Sequence, residues 1–84
     1  MPTVILSHDI ARRFTGGETH FELGDEVVTV RAVVRALEER YPGIGPALRN
    51  DSAVAIDGVI HQGALLSWVK DAREVCFIPA IEGG

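Results

Sequence analysis

The sequence predicts an α+β domain in which a mixed sheet carries one main helix packed on one face. Short apolar runs rich in β-branched residues occur near both ends and in the middle of the chain, and one longer amphipathic stretch lies between them. The length of 84 residues is enough for one small domain. Hydrophobic residues make up 46% and charged residues 24% of the chain, which is typical of a folded globular protein and not of a disordered one.

The first strand is predicted at residues 3–7, where the run is short, apolar and β-branched. Residues 8–14 carry no decisive pattern, and we interpret them as a connecting loop. Residues 15–18 (Thr-Gly-Gly-Glu) signal a turn, and residues 19–23 alternate polar and apolar side chains. That alternation predicts a half-buried strand that pairs with the first as a hairpin, with residues 27–28 continuing it past a bulge.

The main helix is predicted from Val30 to Tyr41, with the Thr29 hydroxyl as its N-terminal cap. Apolar residues at helical spacing make one stripe: Val30, Val33, Val34, Leu37 and Tyr41. The other face carries Arg31, Arg35, Glu38, Glu39 and Arg40. We expect ion pairs between Arg35 and the two glutamates that follow it. Pro42 ends the helix because proline cannot continue its hydrogen-bond ladder.

The second half of the chain predicts shorter elements. They are a helical turn at 46–50, a strand at 53–56, a turn at 57–58, a return strand from 59–60 and a last strand at 74–79. Residues 64–69 are apolar and fit a short strand, a turn of helix or a buried loop. This order allows the first and last strands to pair in the middle of the sheet, as they do in the ubiquitin-like β-grasp fold.

Alternation along the last strand places Val75 and Phe77 on one face and Cys76 and Ile78 on the other. If the first pair faces the helix, Ile78 points outward, where it is either part of a partner-docking patch or a single exposed apolar residue. Cys76 is interpreted as a small inert side chain, because no neighbouring feature predicts a lowered pKa. Trp68 is expected to cover the edge of the core.

Composition and spacing argue against several function classes. The formal net charge of −4 disfavours nucleic acid, whose phosphates require a basic face. No segment is long and apolar enough to span a bilayer, and the N-terminus has no signal-like pattern, so we expect a cytoplasmic protein that binds no membrane. The single cysteine and three scattered histidines form no metal-ligand pattern. Gly16-Gly17 has no neighbouring lysine and is better explained as a hairpin turn than as a phosphate loop.

After Pro79 the chain continues Ala80-Ile81-Glu82-Gly83-Gly84. We expect residues 1–79 to form the domain and residues 80–84 to form a flexible tail. Two glycines suit a terminus whose carboxylate must be activated inside a narrow enzyme channel, because a backbone without Cβ atoms approaches other surfaces closely.

Four segments of the chain resemble the MoaD/ThiS family of ubiquitin-like sulfur carriers. The most specific is the ending from Phe77 to Gly84; the others are residues 13–17 (RFTGG), 34–44 (VRALEERYPGI) and 54–58 (VAIDG). The resemblance covers most of the chain. The Thr-Gly-Gly segment and the Pro-Ala ending look more similar to the MoaD and cysteine-synthesis branches than to the shorter thiamine carriers.

The resemblance implies a β-grasp fold and a carrier function without catalysis by the chain itself. Gly84, preceded by Gly83, would be adenylated by a ubiquitin-activating-type adenylyltransferase that uses ATP, and then converted to a thiocarboxylate. No cofactor would be bound by the chain. Partner contacts would fall on the approach to the terminus, at Ile78, Pro79, Ala80, Ile81 and Glu82. The sulfur acceptor would be the large subunit of molybdopterin synthase, a cysteine synthase-like enzyme or an enzyme of thiamine synthesis.

Three alternatives remain open at this level. The chain is compatible with the small subunit of molybdopterin synthase, with a ubiquitin-like modifier joined to lysine amines, and with a plain interaction domain that has a disordered tail. The same Gly83-Gly84 ending serves the first two, so the sequence does not separate them.

Overall fold

The computed structural model describes residues 2–61 and 65–80. Its strands are β1 (Thr3–Leu6), β2 (His20–Glu22), β3 (Ser52–Ile56), β4 (Val59–His61) and β5 (Glu74–Pro79). Its helices are α1 (His8–Phe14), α2 (Val30–Arg40) and α3 (Ile44–Asn50).

The five strands form one mixed sheet in the order β2-β1-β5-β3-β4. The central pair, β1 and β5, is parallel, and the other neighbours are antiparallel. The prediction that the first and last strands pair in the middle is therefore confirmed, as is the α+β class with a ubiquitin-like β-grasp. Parallel neighbours need a long crossover connection, and here the whole middle of the chain, including α2, supplies it.

Helix α2 packs its apolar stripe on one face of the sheet. Its four buried residues are Val30, Val33, Val34 and Leu37, and they contact the same core as Phe77 of β5. The Thr29 hydroxyl accepts a hydrogen bond from the Ala32 N–H at 3.2 Å, which confirms the predicted cap. The helix ends at Arg40, and Tyr41 is its C-cap.

Residues 8–14 are helical, so their interpretation as a connecting loop is wrong. The Ser7 hydroxyl accepts the Ile10 N–H at 3.3 Å and begins α1, and Ile10 and Ala11 are buried. Gly17 ends the helix by donating its N–H to the Ala11 carbonyl at 3.0 Å. β1 and β2 do pair antiparallel, but α1 connects them, so the two glycines form a helix end and not a hairpin turn.

The second correction concerns Glu38, which was expected to pair with Arg35. Its two carboxylate oxygens instead accept the N–H groups of Gly43 and Gly45, each at 2.8 Å. Gly43 is the N-cap of α3 and has a φ of 102°, a conformation that glycine adopts without strain. Glu38 thereby supplies the cap that α3 lacks, and α3 starts two residues earlier than predicted. Pro46 fits there because first-turn N–H groups need no helical partner.

Two further expectations are wrong. Residues 27–28 are not a strand: Val27 donates its N–H to Gly24 in a turn and buries its side chain. Trp68 does not cover the core, since 72% of it is exposed, whereas Val69 is completely buried. A backbone bridge between Thr29 and Trp68 turns Val69 inward and leaves the indole outside.

The predicted turn at Asp57 and Gly58 is confirmed, with φ values of 47° and 84°. Positive φ at both central residues is typical of a two-residue hairpin. The Asp57 side chain also accepts the backbone N–H groups of Arg73 and Glu74 through one oxygen, each at 2.9 Å. The turn therefore fixes the beginning of β5, the strand that leads to the predicted site.

Candidate functional site

The described part of the predicted site is the end of β5. Ile78 pairs with Ala53, and Pro79 pairs with Ser52 on the neighbouring strand. Beyond them, Ala80 donates its N–H to the Asp51 carbonyl at 3.0 Å. The sheet therefore holds the chain as far as Ala80.

A proline at the end of a central strand usually costs a ladder hydrogen bond. Successive N–H groups along a strand point to opposite sides, and the Ala80 N–H points toward β3. The Pro79 nitrogen therefore faces the β1 side. There β1 has already ended at Leu6, opposite Phe77, so the missing N–H has no acceptor to lose.

Four predicted site residues, Ile81, Glu82, Gly83 and Gly84, lie outside the described residues. The structure thus places Ile78, Pro79 and Ala80 beside one another at the end of the central strand.

The face of the sheet opposite α2 carries a row of side chains that crosses all five strands. From β2 to β4 the row is His20, Ile5, Cys76, Ala55 and Ile60. Ile78 and Ala53 form the adjacent pair, on the side of the row toward the tail. Ile60 is 51% exposed, and Ile5, Cys76, Ala55 and Ile78 are half-buried. We call this surface the open face; the large buried side chains of the three helices belong instead to the core that contains Phe77.

The open face becomes acidic at the end away from the tail. Glu22 and Glu74 flank Thr3 across three strands, and the Thr3 hydroxyl donates to the Glu22 carboxylate at 2.6 Å. An apolar centre with a charged rim is the usual composition of a protein-binding patch. The carboxylates favour a partner that presents basic groups at this edge.

Cys76 lies in the middle of the open face, and its surroundings make it a poor nucleophile. Burial, a 3.2 Å hydrogen bond to the Glu74 carboxylate and the charge of that carboxylate raise the pKa of the Cys76 thiol to about 11. The thiolate is the reactive form of cysteine. At neutral pH the thiol therefore stays protonated and acts as a small side chain in the surface, in agreement with the interpretation from sequence.

The histidines do not assemble into a site. His20 lies in the open-face row, whereas His61 lines a cavity on the helix side of the sheet. Among residues 2–61 and 65–80, no three histidine, cysteine, aspartate or glutamate side chains are placed to hold a metal ion. No helix in the same ranges is long and apolar enough to cross a membrane.

Sequence reasoning identified Cys76 and Ile78 on this surface but missed Ile5, Ala55 and Ile60. The signal was present, because Ile5 and Ile60 each alternate with a residue of the opposite face within a predicted strand. Strand order and register were needed to show that these positions meet in one row.

Comparison with known proteins agrees with this architecture. The model of the ThiS family matches residues 9–84. The chain is similar to a protein in the crystal structure of the Amycolatopsis orientalis BexX/CysO complex, with 29% identity, a TM-score of 0.76 and complete coverage of both chains. It also shares its fold with Mycobacterium tuberculosis CysO, described as an antigen, with 24% identity and a TM-score of 0.75 over 96% of this chain and all of that one.

No curated protein sequence matches the chain significantly. The family match nevertheless covers most of the domain and continues through both terminal glycines. The chain therefore belongs to the ThiS family of ubiquitin-like sulfur carrier proteins.

Proposed function

We propose that this chain carries sulfur as a thiocarboxylate on Gly84 and delivers it to an acceptor enzyme. The observation that carries the proposal is the extent of the family match, which runs through Gly83 and Gly84. These residues follow closely on Ala80, whose N–H donates to the Asp51 carbonyl beside the sheet. The folded domain then serves recognition, and the tail serves the chemistry.

The loading chemistry has two steps. The Gly84 carboxylate attacks the α-phosphorus of ATP, forms an acyl-adenylate and releases pyrophosphate. Sulfide attacks the acyl carbon, and AMP leaves with the electrons of the broken C–O bond. If an enzyme persulfide attacks instead, AMP leaves in the same way, and a thiol then reduces the S–S bond of the resulting acyl disulfide to release the thiocarboxylate. In delivery, the thiocarboxylate sulfur attacks an electrophilic carbon of the acceptor's substrate, where it either displaces a leaving group with its electron pair or adds to a double bond that then takes up a proton. Water next cleaves the acyl–sulfur bond, which restores the Gly84 carboxylate and leaves the sulfur on the acceptor's substrate.

The length of the tail constrains how a partner reaches Gly84. Four residues follow Ala80 in the sequence, and a fully extended chain advances about 3.3–3.6 Å per residue. The reacting carbon therefore lies within roughly 14 Å of Ala80. A partner that activates it must approach the end of β5 closely, and the adjacent open face is one surface available for that contact.

The open face supplies the partner contacts in this proposal. Ile60 and Ile78 give it apolar area, and Glu22 and Glu74 give it an acidic rim. One similar protein was crystallised in a BexX/CysO complex, so that relative assembles with another protein. We propose that this chain likewise docks on an activating adenylyltransferase and then on an acceptor, either a molybdopterin synthase large subunit or a cysteine synthase-like enzyme.

Cys76 is the competing sulfur position, and its environment disfavours it. A thiol whose pKa is raised to about 11 is rarely ionised at neutral pH and reacts slowly with sulfur donors. A protein carrying sulfur on Gly84 needs no such thiol.

The experiment is loading of the purified chain with its host's adenylyltransferase, ATP and sulfide, followed by intact-mass measurement. Wild type and a Cys76→Ser variant should both gain mass by one oxygen-to-sulfur exchange. A variant lacking Gly84 should fold normally and gain nothing. Loading of the truncated variant, or loss of loading in Cys76→Ser, would overturn the proposal.

The same measurement separates the protein-modifier alternative. A modifier would form adducts with other proteins through an isopeptide bond from Gly84 to a lysine amine. Such adducts, appearing with ATP and without any thiocarboxylate, would favour conjugation over sulfur transfer.

A further inference from the structure

A groove with three arginines lies on the helix side of the molecule, away from the open face. It has a volume of about 390 Å³ and is lined by Arg31, Val34, Arg35, Arg49 and Leu65. We call it the arginine groove. The guanidinium groups come from two helices, α2 and α3, so the cluster is produced by the fold and not by a run in the sequence.

The apolar part of the groove is built into the structure. Val34 is 2% exposed and forms its floor, and Leu65 is 36% exposed and forms a wall. The first turn of α2 holds that wall in place, because the Arg31 N–H donates to the Leu65 carbonyl at 2.8 Å and the Val30 N–H donates to the Ser67 carbonyl at 3.0 Å. These bonds use backbone atoms, so the side chain of Arg31 is not needed for them.

Within the described residues, the side chains of the groove arginines lack the close contacts that Arg12, Arg13 and Arg40 make. Arg12 and Arg13 each contact the Asp9 carboxylate at 3.5 Å, and Arg40 lies over two aromatic rings at 5.3 and 5.7 Å. Within residues 2–61 and 65–80, the three groove guanidiniums make no ion pair or hydrogen bond. Glu38 is the nearby carboxylate whose pKa Arg49 helps to lower, but its oxygens already bind Gly43 and Gly45.

The spacing of two of these arginines also disfavours a purely structural role. Arg31 and Arg35 are four residues apart on α2, and like charges at that spacing destabilise a helix. The chain as a whole has a net charge of −4. Three positive charges therefore stand together on a protein that is otherwise acidic, and the Glu38 carboxylate offsets only part of the charge of Arg49.

The groove adjoins a cavity that extends to the end of β5. It shares Val34, Arg49 and Leu65 with an adjoining cavity of about 120 Å³ that is also lined by Ser52. Ser52 pairs with Pro79 at the end of β5. A protein that encloses the tail is thus brought next to this second surface.

We infer that the arginine groove binds an acidic segment of the adenylyltransferase that activates the tail, with carboxylates on the guanidiniums and an apolar side chain against Val34 and Leu65. The inference rests on the proposed function for the identity of that protein. Carboxylates match guanidinium groups in geometry and charge. The acidic net charge disfavours a nucleic acid or an anionic membrane as the occupant.

The first test does not depend on sulfur transfer. The ¹⁵N-labelled chain is titrated with a synthetic pentapeptide that carries four carboxylates around a central leucine, with the corresponding four-amide peptide, and with inorganic phosphate. We expect the acidic peptide to shift the amide signals of Arg35, Arg49 and Leu65, and the amide peptide to shift none. No shift with the acidic peptide, or equal shifts with phosphate, would overturn the inference.

The second test uses the loading reaction and a charge-matched control. We expect Arg31→Glu/Arg35→Glu to raise the KM for this chain by about tenfold with kcat unchanged, and to weaken the dependence of KM on salt. Arg12→Glu/Arg13→Glu makes the same change in net charge on α1 and should leave KM near that of wild type. Equal KM values for the two double variants would contradict the inference.

The two tests separate failure of the inference from failure of the proposed function. Peptide binding in the groove together with no thiocarboxylate on wild type would retain the acidic-segment site and reject the sulfur carrier. Normal thiocarboxylate loading together with no peptide binding and no effect of the groove substitutions on KM would retain the sulfur carrier and reject the acidic-segment site.

Discussion

The two faces of the central strand β5 differ in what their side chains do. Val75 and Phe77 point to the helices and are 0% and 1% exposed, whereas Cys76 and Ile78 point to the open face and remain half-buried. One strand therefore serves the core with alternate residues and a candidate docking surface with the others. Substitutions on one face should change stability, and substitutions on the other should change partner binding.

The largest expected effect is a loss of stability from substitution on the covered face of β5, the side that packs against the helices. Phe77→Ala removes a fully buried ring from the centre of the core and should lower the free energy of unfolding by about 3–5 kcal/mol. Since small domains are stable by only about 5–15 kcal/mol, the variant should unfold at a much lower urea concentration. Ile78→Ala, on the same strand, is the control and should cost far less. Equal urea midpoints for the two variants would contradict the claim that the two faces of β5 contribute differently to stability.

The next effect is on binding at the open face. Ile60 points to that face and Val59 to the other, and they are 51% and 59% exposed on the same edge strand. Ile60→Asp should raise the KM for this chain in the loading reaction by about tenfold, because it places a charge in an apolar contact. Val59→Asp is the matched control, with a smaller expected change. If both variants behave alike in the assay, the open face is not the docking surface.

A smaller effect is expected on the stability of the protein in acid, through the capping of α3 by Glu38. The N–H groups of Gly43 and Gly45 lower the pKa of Glu38 below its ordinary value, so the native state favours the ionised carboxylate. Its contribution to stability is present above that value and is lost as the pH falls through the lower native pKa. Glu38→Gln should reduce stability at pH 7 and make it less sensitive to acid, whereas Glu39→Gln should do neither. Urea midpoints at pH 7 and pH 3 measure this, and identical pH profiles for wild type and Glu38→Gln would refute the capping role.

The smallest effect is expected on the reactivity of the Cys76 thiol as the pH is raised. Because its pKa is raised to about 11, alkylation by iodoacetamide should keep accelerating above pH 9, where an ordinary thiol with a pKa of about 8.5 is already largely ionised. The urea-unfolded chain provides the control and should show the ordinary profile. A native profile with its midpoint near or below pH 8.5 would make Cys76 a reactive thiol after all.

Much of the covered face was predictable from the sequence. The stripe from Val30 to Leu37 has helical spacing, Thr29 is a good cap, and Val75 and Phe77 alternate with less buried residues. These patterns are local, so they need no knowledge of the rest of the fold. The β-grasp arrangement followed from the order of the elements and from the family resemblance, and the sheet order confirms it.

What the sequence did not predict depends on contacts between distant residues. Helix α1 is only 7 residues long, too short for a clear helical pattern. Its cap, Ser7, reads in the sequence as the last residue of the first strand. Glu38 was assigned to an ion pair along its own helix because its true partners, Gly43 and Gly45, lie beyond a turn. The arginine groove joins Arg49 of α3 to α2, a juxtaposition that only the packing of the two helices reveals.

The most direct test of the account is the mass of the protein purified from its own host without a C-terminal tag. We predict that a fraction of the chain is heavier by one oxygen-to-sulfur exchange, and that fragmentation places the sulfur on Gly84. Sulfur located on Cys76, or an unmodified Gly84 even after incubation with ATP, sulfide and the host's adenylyltransferase, would contradict the account.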